Sequence, residues 1–426
     1  MTIKNHRAFH LLLITVILIT ANSCIEDPTL PVVKTDPATE ISINSAHLSG
    51  AVTDDGGAEI TARGFCWGKE ADPTIDDELV PAGVGTGKFS ATFENLEPNT
   101  HYNVRAFAEN SVGIAYGNNV EFVTNMAPPA VTTAAISDIA AVTATCGGTV
   151  TYDGGAPITA RGVCWSTEPQ PDINDPHTTE SGGAGSFTSS ITNLSPANVY
   201  YVRAYVSNQS WTVYGDQKTF RTKLTDVEGN LYNTILIGTK LWMAENLRTT
   251  RLNDNTLIPE ITGNTEWVGT SSPTYCWYDN NASFKTTYGA LYNWFSVNTG
   301  NLCPTGWHVP TDQEFSSLEI TLGMASDQSE IWGWRGTDHG LRMKNTTGWD
   351  NNGNGSNSSG FSALPGGYRY GADGQFFLQT IITYWWTSSE HDADRGWYRR
   401  LDSSSEQVYR ASTSKKGGKY IRCVKD

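Results

Sequence analysis

ITARGFCW, residues 60–67, recurs as ITARGVCW, residues 158–165, a separation of 98 residues. The same shift carries Phe89 to Phe187 and Leu96 to Leu194, and it needs no gap over about a hundred residues. Self-similarity in one register over such a length indicates two copies of one structural module.

Within each copy, short runs of alternating apolar and polar residues are separated by Gly, Asp and Pro turns. SATFENL (residues 90–96) and HYNVRAFAEN (residues 101–110) are examples from the first copy. A two-residue alternation with turn signals at such short spacing is typical of a β-sandwich. The repeat therefore predicts two all-β modules.

A tyrosine follows a proline-containing turn in both copies, in LEPNTHY ending at Tyr102 and in LSPANVY ending at Tyr200. These segments resemble the tyrosine corner of fibronectin type III domains, in which the tyrosine hydroxyl bonds back to the chain across the corner. The resemblance implies fibronectin type III-like domains over residues 33–125 and 129–222. Such domains are expected to act as spacers.

Three cysteines lie in the repeat. Cys66 and Cys164 are repeat partners, each followed by Trp, and we expect both to be buried. Cys146 stands where the first copy has Leu48, which favours a buried thiol at this position. A Cys146–Cys164 disulfide within the second copy is the alternative.

The composition limits the classes of function. A length of 426 residues predicts two to four domains. The 41 glycines, 11% aromatic residues and 17% charged residues favour β-rich globular modules. The formal net charge of −15, with no basic stripe, argues against a nucleic-acid partner.

The first residues have the pattern of an export signal. MTIKNHR supplies a basic segment, AFHLLLITVILITA is an apolar run, and ANSC ends at Cys24. This resembles a bacterial lipoprotein signal over residues 1–24, with Cys24 as the lipidated residue and residues 25–32 as a tether. The following Glu26 and Asp27 resemble the export tag of surface lipoproteins of the Bacteroidetes. We therefore expect an outer-membrane lipoprotein exposed at the cell surface; an ordinary secretory signal is the alternative.

The composition changes at Asp226, since 11 of the 14 tryptophans follow it. The segment from Asp226 predicts a β-hairpin with its turn at GTK, and YGALYNWFSV (residues 288–297) is compatible with a short helix. Thr311 and Glu314 have the spacing of a capping box ahead of a further helix.

Six ordered motifs in this part carry a family resemblance: KLWMAENL, YGALYNW, CPTGWHVPTDQEF, GFSALPGGYR, YWWTSSE and YIRCVKD. They resemble the Fibrobacter succinogenes major paralogous domain, over residues 226–426. WHVPTDQEF is also similar, more distantly, to an element of the formylglycine-generating enzyme superfamily. The resemblance implies an α+β, C-type-lectin-like fold, so the chain is expected to be two all-β sandwiches followed by an α+β domain.

CPTGWHVPTDQEF places Cys303, His308 and two carboxylates close together in sequence. The formylglycine-generating oxidases need a cysteine pair late in the domain, and no cysteine lies between Cys303 and Cys423. Asp312 and Glu314 fall in the first turn of a predicted helix, where carboxylates favour the helix N-terminus. We therefore predict that this segment is structural and that the protein is not an enzyme.

The lectin-like fold implied by the resemblance brings distant segments together. On that basis we predict a Cys303–Cys423 disulfide, which leaves Cys276 unpaired. A Cys276–Cys303 disulfide is the competing pair.

Two groups of residues are candidates for ligand binding. Trp385, Trp386, Trp397 and Trp349, together with Trp332 and Trp334, have side chains that stack on sugar rings in other proteins, although burial in a small core is the alternative. Asp350, Asn352 and Asn354 place oxygen atoms at alternate positions like the start of a calcium loop, but Phe361 stands where the closing carboxylate is needed. A plain Asn/Gly loop is the alternative to calcium.

From these features we expect a cell-surface lipoprotein that presents a C-terminal binding or adhesion domain, for a glycan or a surface protein, on β-sandwich spacers. The membrane contact would be made by the lipid on Cys24. The alternatives are an enzyme acting on extracellular polysaccharide and an architectural component of the envelope without a ligand.

Overall fold

The structure is a computed structural model that describes residues 27–426, so Cys24 and Glu26 lie outside the described residues. It divides into two compact units. The first ends at Ala127 and includes Gly154–Ala156, and the second contains Pro128–Asp153 and Pro157–Asp426. Across residues 27–426, no helix has both the length and the apolar character needed to span a membrane.

The first sandwich has eight strands in two antiparallel sheets, ordered β1-β2-β5 and β4-β3-β6-β7, with β8 also paired to β6. The strands are β1 Val32–Thr35, β2 Ala46–Asp54, β3 Ala62–Gly68, β4 Glu78–Pro81, β5 Gly87–Phe93, β6 His101–Glu109, β7 Ile114–Tyr116 and β8 Val120–Val123.

The second sandwich repeats this topology without a counterpart of β4, with sheets ordered β9-β10-β12 and β11-β13-β14 and with β15 also paired to β13. Its strands are β9 Ala130–Thr133, β10 Ala144–Tyr152, β11 Ala160–Ser166, β12 Gly185–Ile191, β13 Val199–Ser207, β14 Thr212–Tyr214 and β15 Lys218–Arg221. Every one of these seven strands begins 98 residues after its counterpart in the first copy. The gapless repeat in the sequence is thus a repeat of strand register.

The tyrosine corners are present in both copies. The Tyr102 hydroxyl accepts a hydrogen bond from the Glu97 backbone N–H at 3.0 Å, and the Tyr200 hydroxyl accepts one from Ser195 N–H at 2.9 Å. Both rings are buried and stack on a phenylalanine of the last strand of their sandwich. The predicted β-sandwiches are confirmed.

The repeat cysteines are buried free thiols, as expected. Cys66 Sγ lies 3.1 Å from the carbonyl oxygen of Pro73, and Cys164 Sγ lies 3.4 Å from that of Pro171, at equivalent positions. Burial raises the pKa of both thiols to about 11. Cys146 is also free, so the alternative Cys146–Cys164 disulfide does not form.

The remaining residues form short strands and helices. The strands are β16 Leu224–Thr225, β17 Leu231–Tyr232, β18 Thr234–Ile237, β19 Lys240–Met243, β20 Tyr275–Cys276, β21 Leu291–Tyr292, β22 Trp307–His308, β23 Gly333–Arg335, β24 Tyr368–Arg369, β25 Phe376–Phe377, β26 Ile382–Glu390, β27 Arg395–Asp402, β28 Val408–Ser414 and β29 Val424–Lys425. The α-helices are α1 Asn264–Gly269, α2 Lys285–Tyr288, α3 Trp294–Val297, α4 Asp312–Thr321 and α5 His339–Met343, with 3₁₀ turns at Tyr278–Asn280 and Ala282–Phe284.

Two four-stranded antiparallel sheets organise this part, ordered β18-β19-β29-β22 and β23-β28-β27-β26. The predicted hairpin is β18–β19, and the predicted short helix is limited to α3 because β21 occupies the residues before it. The chain is therefore mostly β-structure with few helices.

The segment CPTGWHVPTDQEF has the structural roles predicted for it. Trp307 N–H bonds to the Pro304 carbonyl at 2.9 Å, and Gly306 adopts a positive φ of 79°, which closes the turn. Thr311 and Glu314 form a reciprocal capping box at the start of α4. The Cys303–Cys423 disulfide is present and Cys276 is a buried free thiol, so the competing Cys276–Cys303 pair is wrong.

Candidate functional site

The sheet β23-β28-β27-β26 carries a row of aromatic rings on one side. Residues paired across antiparallel strands lie on the same side of a sheet, and side chains alternate along each strand. Trp334 pairs with Tyr409, Tyr409 with Arg400, and Arg400 with Tyr384, while Tyr398 pairs with Trp386. We name this side the aromatic face; its members are Trp334, Tyr384, Trp386, Tyr398, Arg400 and Tyr409.

Ring contacts run along the aromatic face without interruption. Trp334 contacts Tyr409 at 5.0 Å between ring centroids, Tyr409 contacts Tyr398 at 6.3 Å, and Tyr398 contacts Tyr384 at 5.2 Å. Tyr368 of β24 continues the row, 4.8 Å from Tyr384. Stacked and edge-on aromatic pairs at these distances stabilise one another beyond the area they bury.

The row is exposed at both ends and covered in the middle. Trp334 is 37% exposed at one end, and Tyr370, 6.4 Å from Tyr368, is 45% exposed at the other. Tyr384 and Tyr398 between them are buried, and burial raises the pKa of the Tyr384 hydroxyl to about 12. Both phenols are therefore neutral at physiological pH.

A cavity of about 170 Å³ opens beside the covered middle of the row. We name it the Lys419 cavity; its lining residues are Tyr368, Arg369, Tyr370, Gly371, Tyr384, Tyr398, Thr413, Gly417 and Lys419. No Asp or Glu belongs to this lining. An aromatic wall, several hydroxyl groups and one ammonium group converge here, which is the composition of a small-molecule site.

On the opposite side of the same sheet, helix α4 packs through buried ion pairs. Glu319 accepts a hydrogen bond from Arg399 at 2.8 Å and also pairs with Arg335, and the three side chains are fully or almost fully buried. Asp312 pairs with Arg399 and with Arg410, the latter at 2.6 Å. Burial opposes ionisation of Asp312, but its hydrogen bond to Arg410 and the nearby Arg399 charge outweigh it and lower the pKa of its carboxyl group. These carboxylates are occupied by arginines.

The predicted tryptophan site needs a correction for three of its members. Trp385 lies on the α4 side of the sheet, Trp386 lies on the aromatic face, and neither has any exposed surface. Trp349 is only 4% exposed. Each indole N–H bonds to a protein oxygen, at 2.9 to 3.0 Å, so these rings are core side chains that no ligand can stack on.

Trp397 is half-buried and belongs to a different cluster. Its ring lies 4.7 Å from that of Trp332, which is 49% exposed, and 5.0 Å from His391. Arg410 lies over the Trp397 ring at 3.9 Å. Of the tryptophans named from the sequence, Trp332, Trp334 and Trp397 thus have surface that a ligand can reach.

In the predicted calcium loop, side-chain oxygens accept hydrogen bonds from other groups of the protein. Asn354 Oδ1 accepts the Trp349 backbone N–H at 3.0 Å, and the Asp350 carboxylate accepts the Thr380 hydroxyl. Within residues 27–426, no group of three or more His, Cys, Asp or Glu side chains is arranged to hold a metal ion. Calcium binding through Asp350, Asn352 and Asn354 stays a prediction, and the hydrogen bonds agree with the plain-loop alternative.

The sequence did not reveal Lys419 or the tyrosines of the site. They come from four segments that only the fold brings together, spread over residues 368–419. One signal was available: Tyr384 and Trp386, and likewise Tyr398 and Arg400, alternate along strands whose other positions are also large.

Comparison with known proteins bears on the part of the chain that contains this site. Residues 235–425 match the family model of the Fibrobacter succinogenes major domain. The resemblance drawn from the six motifs is therefore supported for these residues, and both the aromatic face and the Lys419 cavity lie within the matched range. The lectin-like architecture stays a prediction.

No curated protein matches the chain. Among solved structures, the sensor domain of the anti-sigma factor RsgI4 of Pseudobacteroides cellulosolvens is 22% identical and covers 22% of this chain and 94% of its own, with a TM-score of 0.18. The FN1–FN3 domains of chicken CNTN1 are 14% identical and cover 53% of this chain and 78% of their own, with a TM-score of 0.28. TM-scores this low carry no argument about either part of the molecule.

Proposed function

We propose that this protein is a cell-surface lipoprotein whose Fibrobacter succinogenes major domain binds glycans, and that its fibronectin type III-like sandwiches serve as spacers. The observation that carries the glycan assignment is the row of rings that runs along the aromatic face and continues through Tyr368, with an exposed Trp334 at one end and an exposed Tyr370 at the other. Exposed aromatic rings beside hydroxyl groups suit sugars, which present apolar C–H faces and polar rims.

Three hydroxyl groups that line the Lys419 cavity have no partner in the part of the protein that the structure describes. Within the described part of the chain, the hydroxyls of Tyr368, Tyr370 and Tyr398 make no hydrogen bond to another residue, although the first and last are largely covered. A sugar supplies both donors and acceptors for such groups. The enzyme alternative gains no comparable support, because Asp312 and Glu319 are held in arginine pairs.

A glycan array probed with the purified protein, with and without calcium, tests the proposal. We expect binding to a restricted set of glycans, lost or strongly reduced in Trp334→Ala and Tyr370→Ala. Trp211→Ala is the matched control, since Trp211 is an exposed tryptophan (46%) in the second sandwich. An array without any bound glycan, or equal binding by all variants, would refute the assignment.

The anchor is tested separately at Cys24, which lies outside the described residues. We expect Cys24→Ala to release the protein from the membrane fraction of the producing cells. The Trp334→Ala and Tyr370→Ala proteins should stay in the membrane fraction. Retention of the Cys24→Ala protein in the membrane fraction would contradict lipidation at that residue.

A further inference from the structure

Lys419 is an unusual buried lysine. Its ammonium nitrogen lies 4.5 Å from the ring centroid of Tyr384, 4.7 Å from Trp386, 4.9 Å from Tyr398 and 5.7 Å from Tyr368. The residue is only 3% exposed. Within residues 27–426 its ammonium group has neither a hydrogen bond to protein oxygen nor a carboxylate partner, and it lies against the negative faces of these rings.

The two other buried lysines of this part of the chain show what is missing. Lys344 donates to the carbonyl oxygens of Asp402 and Ser405, both at 3.0 Å. Lys415 pairs with Glu390 and donates to the Ala393 carbonyl at 2.7 Å. Ammonium groups removed from water normally gain oxygen partners in this way, because an unpaired buried charge is strongly unfavourable. Lys419 has the burial without the partners.

The space for a partner is present beside it. The Lys419 cavity has a volume of about 170 Å³, well above the roughly 30 Å³ that one water occupies in the liquid. Tyr370, the most exposed residue of its lining named above, marks the solvent side. The cavity is thus large enough for a charged group on a small ligand and is reached from the exposed end of the aromatic row.

The charges around the cavity favour a singly charged anion. Arg369 also lines it, but its guanidinium donates to the carbonyls of Gly374, Ile261 and Thr262 and is not free for a ligand. One ammonium and a few hydroxyl donors match a carboxylate better than a phosphate, which is usually bound by several cations or backbone N–H groups. The flanking rings add an apolar wall for the remainder of the ligand.

We propose that the Lys419 cavity binds the carboxylate of an acidic sugar, such as a uronic acid, with the Lys419 ammonium as its counter-charge. The assignment rests on the proposed glycan binding and names the class of glycan. It gives the unpaired ammonium the oxygen partner that the protein does not supply. The tyrosine hydroxyls then contact the sugar ring.

Burial lowers the pKa of Lys419 to about 7, and a bound carboxylate would raise it again. The other titratable groups lining the cavity are Tyr368, Tyr370, Tyr384 and Tyr398, with Arg369 on the same strand as Tyr368. Burial raises the pKa of the Tyr368, Tyr384 and Tyr398 hydroxyls, so these three groups stay uncharged near neutral pH. Binding should therefore take up a proton and weaken as the pH rises from about 6 to about 9.

Isothermal titration with D-glucuronate, D-glucose and inorganic phosphate tests this. We expect the wild-type protein to bind glucuronate, and to bind glucose and phosphate at least about tenfold more weakly. Lys419→Met should weaken glucuronate binding about tenfold or more. Lys285→Met is the matched control, because Lys285 also lies over a tryptophan, Trp277, at 5.7 Å, but outside the cavity. Its affinity for glucuronate should equal that of the wild type.

A second measurement needs no variant. Titrations of the wild type near pH 8 in two buffers of different ionisation enthalpy report the protons taken up on binding; we expect a value above zero. Absence of glucuronate binding, equal binding of glucose or phosphate, unchanged affinity in Lys419→Met, or no proton uptake would each overturn the inference. Array binding of neutral glycans alone, dependent on Trp334, would overturn it while leaving the proposed function standing.

Discussion

The β-sandwiches and the C-terminal part of the chain, residues 226–426, bury different kinds of side chain. In residues 27–222, as the structure describes them, the buried polar side chains are all neutral, for example Thr35, Asn103 and Thr222. From residue 226 onward, charged side chains are buried as well: Asp226, Glu319, Arg335, Lys344, Arg369, Arg399, Asp402, Arg410, Lys415, Lys419 and Arg422. The two parts of the chain thus differ in whether they bury charged side chains.

The difference follows from how each part satisfies its backbone. Strand ladders in the sandwiches pair most N–H and C=O groups with one another, so neutral side chains suffice at the corners. The C-terminal domain has long irregular segments whose carbonyls need donors from elsewhere. Arg369 and Arg422 supply them, the latter by donating to the Met243 and Phe361 carbonyls and to Asn246. Buried arginines here donate the hydrogen bonds that neighbouring strands donate in the sandwiches.

The strongest test of this comparison is the disulfide. Removing it with Cys303→Ala and Cys423→Ala should destabilise the C-terminal domain by about 4–5 kcal/mol, because the 120-residue separation gives the unfolded chain much entropy to regain. The first sandwich, which belongs to the other compact unit, should unfold at an unchanged temperature. Calorimetry resolves the transitions, and tryptophan fluorescence assigns the C-terminal one, since 11 of 14 tryptophans lie there. Unchanged unfolding of both parts would contradict the prediction.

Glu319→Ala tests the buried charges directly. It leaves Arg335 and Arg399 buried without their shared carboxylate, which should lower the free energy of unfolding by about 3–5 kcal/mol. Glu97→Ala in the first sandwich is the control, because Glu97 pairs with Lys69 at the surface. Urea unfolding measures both; a large effect at Glu97, or none at Glu319, would break the contrast between the two parts.

Lys419→Met should raise the free energy of unfolding, whereas Glu319→Ala should lower it. A lysine whose folded pKa of about 7 lies below its unfolded value destabilises the fold at low pH, and this penalty is relieved as the pH rises toward about 10. The variant should therefore gain roughly 2–4 kcal/mol near pH 6, with a smaller gain near pH 9. Urea unfolding at the two pH values, without ligand, measures it. A loss of stability at pH 6 would contradict the unpaired state of this ammonium.

The two tyrosine corners test whether equivalent positions of the sandwiches contribute equally to stability. Tyr102→Phe and Tyr200→Phe each remove a hydrogen-bond acceptor from a backbone N–H, so each should cost about 1–2 kcal/mol. Since the two corners have equivalent geometry, the losses should agree. Chemical unfolding of both single variants checks this. A much larger loss in one copy would show that equal geometry in the two copies does not give equal contributions to stability.

The smallest expected effect is at His308. Burial lowers the pKa of its imidazole, but hydrogen bonds to Asp426 and Glu314 outweigh this and raise it. A raised folded pKa stabilises the fold below the unfolded value near 6.5, and this contribution is lost as the pH rises through the folded pKa. His308→Asn should remove less than about 1 kcal/mol near pH 5, with no loss near pH 9. A pH series of thermal unfolding measures it; a loss that grows with pH would reverse the sign.

Local features of this molecule could be predicted from the sequence because their determinants are adjacent in the chain. The alternating residues and turn signals within each copy predict strands, and the Thr311–Glu314 spacing predicts the helix cap. The Cys303–Cys423 disulfide joins distant residues, and only the family resemblance predicted it. The family model supports that resemblance over residues 235–425.

The site could not be predicted because its determinants are distant. Nothing adjacent to Lys419 indicates that rings from β24, β26 and β27 surround its ammonium. The sequence also did not show which tryptophans are exposed. In a strand packed on one side only, Trp385 and Trp386 would alternate between core and surface, but here α4 and the segment around Tyr292 cover both sides.

The sheet order β18-β19-β29-β22 has a consequence for the timing of folding. Val424 pairs with both Trp242 and His308, so one sheet joins residues made early and late in the synthesis of this domain. The sandwich strands pair with partners fewer than a hundred residues away. Contacts distant in sequence form slowly. A ribosome that delivers the chain from its first residue would therefore let both sandwiches fold before the sheet β18-β19-β29-β22 can close.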